Sequence, residues 1–589
     1  MFNLKRSSKL SATLLALFLG ASVFMAGQVW AAKYVTDPST GKVVTAPEYG
    51  GTFTWVQKEE PVGPDTVVQG LWGSIYVNGV LEKLVIADWA TPRDKFAFQF
   101  LLVPTNTRGA LAESWSQSDP LTYIVKVRQG IHWHDKPPMN GRELTAQDIE
   151  FNFHRLLGMG SGFTERSEHA LAWPEFESIT ATDKWTVVFK MKDVSVGALH
   201  TILDGSPYYV YPPEVIKEHG DVTDWRNLVG TGPMMLTDWV DGSSVTWTKN
   251  PNYWGYDEKY PENRLPYLDK IRALIMPEVA ASLAAIRSGK ADHLGAIGQT
   301  MLGSLDQVDS LQRTNPELVI QPFYGRSNLG IGLNVQLPHF SDIRVRIAMQ
   351  KAINLDEINQ AYWRGYADVT PQGQANRSFT AIVTPFEEWP EELKESYTYD
   401  PKAAEALLDA AGYPLGADGI RFKTNMMHWD RYDLNYVELV ASYWGKIGIE
   451  VEDIEVEQIS SFMSRRAKRE FEMLSCERAM NWFPMVLVSA FTTGNRGNRG
   501  NASDPHYDAL NEAAKKATTI EEQNRIVGEM NQYELEQKWC LWGPIAPGYI
   551  ASQPWVKGYN AEFNMGALQY NTVFTRLWID SELKKEMGH

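Results

Sequence analysis

Between Met234 and Lys249 apolar and polar positions alternate in two runs, Met-Leu-x-x-Trp and Val-x-Trp, on either side of Asp241-Gly242. A period of two interrupted by such a dipeptide predicts a pair of antiparallel strands. The stretch before them, Gly230-Thr231-Gly232-Pro233, admits backbone conformations that few residues tolerate, so it is expected at a rim or a crossover. GGTFTWVQKEEPVGPD reads as a strand entering a Pro/Gly turn, and residues 111–130 as a short anchor followed by an alternating strand. The period then changes to 3.6 in LTAQDIEFNFHRLLG, with Thr145 as N-cap and Gln147-Asp148 in the first turn. PEVAASLAAIRSGKADHL predicts a helix of about four turns stopped by Gly289, and FSDIRVRIAMQKAIN and DPKAAEALLDAAGY predict two more capped amphipathic helices. LNYVELVASYWGKIGIEVEDIEVE gives a helix, a stop at Gly448 and an alternating strand, the start of a βαβ-like unit. Strands and helices alternate without repeats or heptads, so the class is α/β or α+β.

Composition adds compartment. A chain of 589 residues is too long for one hydrophobic core, and 44% hydrophobic with 22% charged residues is globular. Lys5, Arg6 and Lys9 precede an apolar run from Leu10 to Gly27 that ends in VWAA. That is the pattern of a secretory signal peptide over residues 1–31, cut after Ala31; a retained membrane anchor is the alternative. No cysteine stands at the cleavage point for a lipid, so a free periplasmic protein is expected rather than a lipoprotein. Cleavage removes three positive and no negative charges, taking the formal net charge from −16 to −19. Such a surface has no electrostatic case for nucleic acid.

Candidate chemistry is mostly negative. GxSxG, HExxH, CxxC and GxGxxG are missing, and no cofactor or metal is expected. His132 and His134 share a strand face without a third ligand at a recognisable spacing, and a structural role is expected for them. TTGNRGNRGNASDP lacks the Lys-Ser/Thr of a phosphate loop and reads as a solvated polar loop, although Arg496 and Arg499 could meet an anionic ligand there. Cys476 and Cys540 are the only cysteines, and an oxidising compartment permits one disulfide between them, two buried thiols being the alternative. The positive signal is aromatic. Twenty-one tryptophans occur, several in polar surroundings such as MMHWDRYD, ERAMNWFP and AYWRGYAD, as flat pocket walls would be.

Five ordered stretches resemble the extracellular solute-binding proteins of family 5, the peptide, nickel and oligosaccharide binding components of ABC importers. They are LAESWSQSDPLTYIVKVRQGIHWHDKPPMNGRELTAQDIEFNFHRLL, VGTGPMMLTDWVDGSSVTWTKNPNYWG, IRSGKADHL, SDIRVRIAMQKAIN and PWVKGY. The resemblance implies an α/β, two-lobed periplasmic binding protein (type II, cluster C) of three domains, with a cleft between lobes. Residues 33–88, 205–276 and 545–589 would form domain I, 89–204 an inserted domain II, and 277–544 domain III. Crossings between lobes would fall near Leu274–Pro277 and Gly543–Ala546. It further implies a monomer, no enzymatic activity, and delivery of solute to an inner-membrane ABC permease. A secreted carbohydrate-active hydrolase and a signalling receptor subunit are the rival classes.

Carried onto this chain, the resemblance places Lys58, Glu59, Glu60, Gly230, Thr231 and Gly232 on one side of the cleft. Met427, His428, Trp429, Asp430 and Tyr432, with Glu477, Arg478, Asn481 and Trp482, are placed on the other. Peptide binders of the family often carry a Trp-x-Ala-Asp-Tyr-like run whose aspartate holds the ligand's α-amino group. Here Glu477-Arg478-Ala479-Met480-Asn481-Trp482 has no aspartate. Trp429 and Trp482 as stacking walls, with His428, Asp430 and Asn481 for hydroxyls, would suit an oligosaccharide, while Glu477 could take the amine of an oligopeptide. Both ligand classes stay open at this point, and a hydrophobic or anionic solute comes third.

Overall fold

The computed structural model describes residues 34–38, 40–57, 63–69, 77–92, 107–170, 173–205, 208–294, 302, 304–323, 329–375, 379, 381–430, 432–477, 484–559 and 571–589. The expected signal peptide lies outside them. Residues up to Pro47 form a unit of their own, in which Tyr34–Thr36 pairs antiparallel with Val43–Thr45. The second unit, from Glu48 to His589, carries the rest.

Its largest sheet has seven strands, in the order Met234–Val240, Ser244–Lys249, Lys270–Ile275, Thr52–Gln57, His293–Leu294, Gly548–Ser552 and Val319–Phe323. The two alternating runs of the opening pattern form its edge and turn at Gly242, whose φ of 64° is left-handed. The 111–130 stretch is a hairpin rather than an anchor and one strand. Ala112–Asp119 pairs with Thr122–Val127 in a four-stranded antiparallel sheet completed by Thr186–Met191 and Phe176–Asp183. Against that sheet packs the helix Ala146–Leu157, where the Asp148 carboxylate accepts from the Thr145 N–H at 2.9 Å and the left-handed Gly158 ends the helix.

The second sheet has five strands, ordered Ile449–Glu457, Phe422–Trp429, Met473–Glu477, Leu329–Leu333 and Cys540–Trp542. The first three run parallel, joined through the helix Leu434–Lys446 in the expected βαβ manner. Both faces of this sheet are covered, so its period-two alternation sorts residues between two cores. Met426, Met473, Ile331 and Leu541 enter one; Met427, Trp429, Leu474, Cys476, Cys540 and Trp542 enter the other. Helices Ile343–Lys351 and Pro401–Ala410 are capped by Asp342 and Asp400, which accept from Arg344 N–H and Ala403 N–H.

One boundary needs correction. The chain does not leave the seven-stranded sheet near Leu274–Pro277, because His293–Leu294 and Val319–Phe323 return to it. It passes to the five-stranded sheet between Phe323 and Leu329, so His293–Leu294 and Val319–Phe323 belong with the first sheet instead of domain III. The return runs between Trp542 and Gly548.

Candidate functional site

Gly230, Thr231 and Gly232 are packed inside the seven-stranded region. A Cβ on Gly230 would sit 1.8 Å from the Val80 carbonyl oxygen, and one on Gly232 would sit 2.4 Å from that of Gly79, so only glycine allows the approach. The Gly232 N–H donates to Val80 O at 2.9 Å, and Gly232 O accepts from Asn250 Nδ2 at 3.0 Å. His134 lies 2.9 Å from the same oxygen through Nε2, and burial lowers its pKa to about 4. Thr231 is 1% exposed. The turn that opened the sequence is therefore a packing joint against Val77–Glu82, and NPNYWG locks it: Asn250 bonds Gly232, while Tyr253 and Trp254 both donate to the buried Glu82 carboxyl.

Met427, His428, Trp429, Asp430 and Tyr432 lie at the carboxyl end of the strand Phe422–Trp429. Alternation divides them. Met427 and Trp429 face the core that holds Cys476, and Trp429 stacks on Phe462 at 6.1 Å between centroids, with Tyr432 edge-on at 4.8 Å. His428 is 0% exposed on the opposite face, its pKa lowered by burial. Asp430 is exposed, its N–H donating to Glu457 O at 2.9 Å. So Trp429 presents little free indole face to a sugar ring, and His428 is placed as a buried residue. Lys58, Glu59, Glu60, Arg478, Asn481 and Trp482 lie outside the described residues; Glu477 is placed as the last residue of its strand.

The carboxyl ends of three parallel strands, at Trp429, Glu457 and Glu477, thus stand in one row. In open sheets with parallel strands this is the edge outside which ligands bind. The structure brings the Met427–Tyr432 and Glu477 segments together there, and it places Gly230–Gly232 elsewhere, in the packing of the other sheet.

Periodicity did not reveal the setting of Arg466 and Arg499. Arg466, on the helix Ile459–Lys468 that carries Phe462, has its pKa lowered first by burial and then by the charge of Arg499. Arg499 is 7% exposed, and its Nη1 donates to Gln374 Oε1 at 3.1 Å. The TTGNRGNRGN stretch is thus no solvated loop at this residue. Asn498 knots it by donating to Phe491 O and Ala502 O, and Arg469 clamps it through the Asn495 and Asn498 carbonyls. Gly332 makes room, since a Cβ there would lie 2.4 Å from Arg499 O. Arg496 is exposed. The available signal was the pair of arginines in a glycine-rich loop; nothing local marked the second one as buried.

Cys476 and Cys540 are placed as free thiols with Sγ atoms 3.5 Å apart, one of the two alternatives that the sequence left open. They sit on strands that flank Leu329–Leu333, paired with Gly330 and Gly332. Two strand spacings are about 9–10 Å, whereas a bridge needs Cα atoms within roughly 7 Å. Burial, and then the Cys476 thiol, push the Cys540 thiol well above its ordinary pKa.

Comparison with known proteins fits this arrangement. Residues 106–498 match the bacterial extracellular solute-binding proteins, family 5 Middle. The chain is similar to heme-binding protein A of Haemophilus influenzae, 23% identical over 89% of this chain and 92% of that one. It is similar to a di/tripeptide-binding protein of Pseudomonas aeruginosa, 25% identical over 76% of this chain and 81% of that one. The periplasmic binding protein DppA from Helicobacter pylori, solved in complex with peptide STSA, shares the fold at a TM-score of 0.64 and 20% identity, over 90% of this chain and 99% of that one.

Proposed function

Because the chain belongs to the bacterial extracellular solute-binding proteins of family 5 and is a binding component of an ABC importer, we propose that its solute is a short oligopeptide. The peptide is captured at the row of strand ends formed by Trp429, Glu457 and Glu477 and handed to the importer's permease. The observation that carries this reading is the state of Trp429. With its indole packed on Phe462 and 7% exposed, the wall that favoured a sugar is spent on the core. An extended peptide is held chiefly through main-chain hydrogen bonds, which the open ends of parallel strands and their loops can supply. Relatives named for di- and tripeptides and a fold shared with a peptide complex support the same choice. The matched family consists of solute-binding components, so a secreted hydrolase finds no support there.

We read residues 48–323 with 548–589 as one lobe, including the four-stranded sheet as an insertion, and 329–542 as the other. Two crossings of the chain would let the lobes close, and a peptide stabilises closure only if it touches both. In this reading the chain works as a monomer in the periplasm after loss of residues 1–31. Among the described residues no helix is long and apolar enough to cross a membrane. The test is native mass spectrometry of the protein as purified, followed by calorimetry with defined tripeptides and trisaccharides. Added mass of a peptide and one-to-one heat with a tripeptide are expected; a retained glycan, or heat with trisaccharides alone, would reject the peptide.

A further inference from the structure

Residues Arg364–Asp368 form a short loop that one sheet carries and the other meets. The loop follows the helix Leu355–Tyr362, whose Ile358 packs in one core with Ile331, Met426 and Leu541 of the five-stranded sheet. Its turn is made at Arg364 and Gly365, with φ of 54° and 82°, and the left-handed region is costly for an arginine. Asn359, 6% exposed, holds that shape by accepting from the Ala367 N–H and donating to the Ala367 carbonyl, both at 2.9 Å. A buried amide spent twice on one residue fixes where the loop points.

What it meets belongs to the seven-stranded sheet. Arg364 Nη1 donates to both oxygens of Asp309, at 2.7 and 2.6 Å, and Asp306 stands 3.7 Å from Nη2. Both aspartates lie on the helix Leu305–Thr314, whose Val308 and Leu311 share a core with Val56, Leu294 and Ala551 of that sheet. Tyr366 meets Tyr549 edge-on at 6.4 Å, and Asp368 exchanges two backbone hydrogen bonds with Ile545, where the chain crosses back. The end of the sheet at which this happens is fixed too. Tyr362 donates to the Asp433 carboxylate at 2.9 Å, and Asp433 directly follows the segment Met427–Tyr432. Arg364 therefore leaves the five-stranded sheet at the end where Trp429, Glu457 and Glu477 stand in a row.

We propose that the Arg364–Asp309 ion pair is a latch that helps to close the two lobes over the bound solute. The inference rests on the two-lobed, solute-binding reading and adds a positioning residue to it. Part of the affinity for peptide then comes from a contact that the peptide does not touch, because a solute that prefers the closed form gains from whatever stabilises closure. An exposed ion pair supplies little and salt screens it, so the latch is a modest, ionic-strength-dependent bias.

The test is calorimetry with trialanine at low salt on wild type, Arg364→Asp, Asp309→Arg and the double reversal, with the melting temperature of each. Each single reversal sets like charges face to face and should weaken binding about three- to tenfold, and the double reversal should return to within about twofold of wild type. High salt should narrow the gap between wild type and the single reversals, and melting temperatures should stay near wild type throughout. Single reversals that bind as wild type does, a loss that the double reversal does not restore, or a loss that comes only with a lowered melting temperature overturns the latch and leaves the peptide reading standing. If wild type gives no heat with trialanine, the peptide reading fails and X-ray scattering of the ligand-free proteins decides the latch. A larger radius of gyration for Arg364→Asp than for wild type, reversed in the double variant, keeps it; equal radii overturn it.

Discussion

Two buried arginines, one in each lobe, are treated in opposite ways. Arg155, in the four-stranded insertion, donates through Nη2 to Asp65 at 2.6 Å, and Asp65, 0% exposed, also takes the Val222 N–H. Arg499 faces the neutral oxygen of Gln374. The same side chain at similar depth is in one place bound to a carboxylate and in the other, among the described residues, without one. In the first place a carboxylate neutralises the charge within the fold; in the second the charge meets a neutral amide oxygen.

The largest test of that contrast is stability. Removing one partner of a buried pair leaves an uncompensated charge, so Asp65→Ala should cost about 3–5 kcal/mol in urea unfolding. Arg499→Met replaces a charge that has no carboxylate partner among the described residues by an apolar chain of similar length, and it should stay within about 1 kcal/mol of wild type or gain stability. Comparable losses in the two variants would break the comparison.

Glu82 shows what a buried group does when it can change its charge. Tyr253 and Trp254 donate to its carboxyl at 3.0 and 3.1 Å, and burial raises its pKa to about 7. The folded state therefore holds a proton that the unfolded chain releases near pH 4.5, so stability is full below that pH and falls as pH rises to about 7. The loss above that point is roughly 3 kcal/mol. Glu82→Gln should remove that slope, and urea midpoints from pH 4.5 to 8 measure it; a variant whose slope matches wild type would mean Glu82 stays ionised in the fold. Arginine has no such exit, and Arg155 is held against the Asp65 carboxylate instead.

The sequence carried the local rules and missed the long-range ones. Caps at Asp342 and Asp400, the stop at Gly448 and the turn at Gly242 are each decided within a few residues, and each was legible. The two-residue strand His293–Leu294 is too short for any period, so the crossing was set too early. His428 and Trp429 alternate visibly, but alternation cannot tell that both faces of that sheet are covered. Arg499 is buried because Asn498, Arg469 and Gly332 converge on its loop from separate parts of the fold, and local composition reads only glycine and polarity.

A smaller effect is expected where charges meet in water. Arg364, after the helix Leu355–Tyr362, reaches Asp309 at 2.6 Å on the helix Leu305–Thr314, which packs with the seven-stranded sheet. Both side chains are nearly half exposed, so Arg364→Ala should change stability by less than about 1 kcal/mol and less still in salt. A loss above 2 kcal/mol would show that exposed pairs here behave like the buried Asp65 pair.

The smallest expected effect is nil, and it concerns whether the arginines are neutralised from within. Cys476 is among the charges that act on Arg466, and Arg499 is among those that act on Cys540, so a thiolate here would supply the counter-charge that the described carboxylates do not. The structure argues against it: burial, followed by the neighbouring thiol, holds Cys540 well above its ordinary pKa and therefore neutral at pH 7. Reductant should leave the melting temperature unchanged, since the strands flanking Leu329–Leu333 hold the sulfurs apart. Two thiols should titrate after denaturation without reductant, and Cys540 should contribute no thiolate absorbance at pH 7 in the folded protein. Thiolate absorbance that disappears in Cys540→Ala would pair the arginines internally and erase their difference from Arg155.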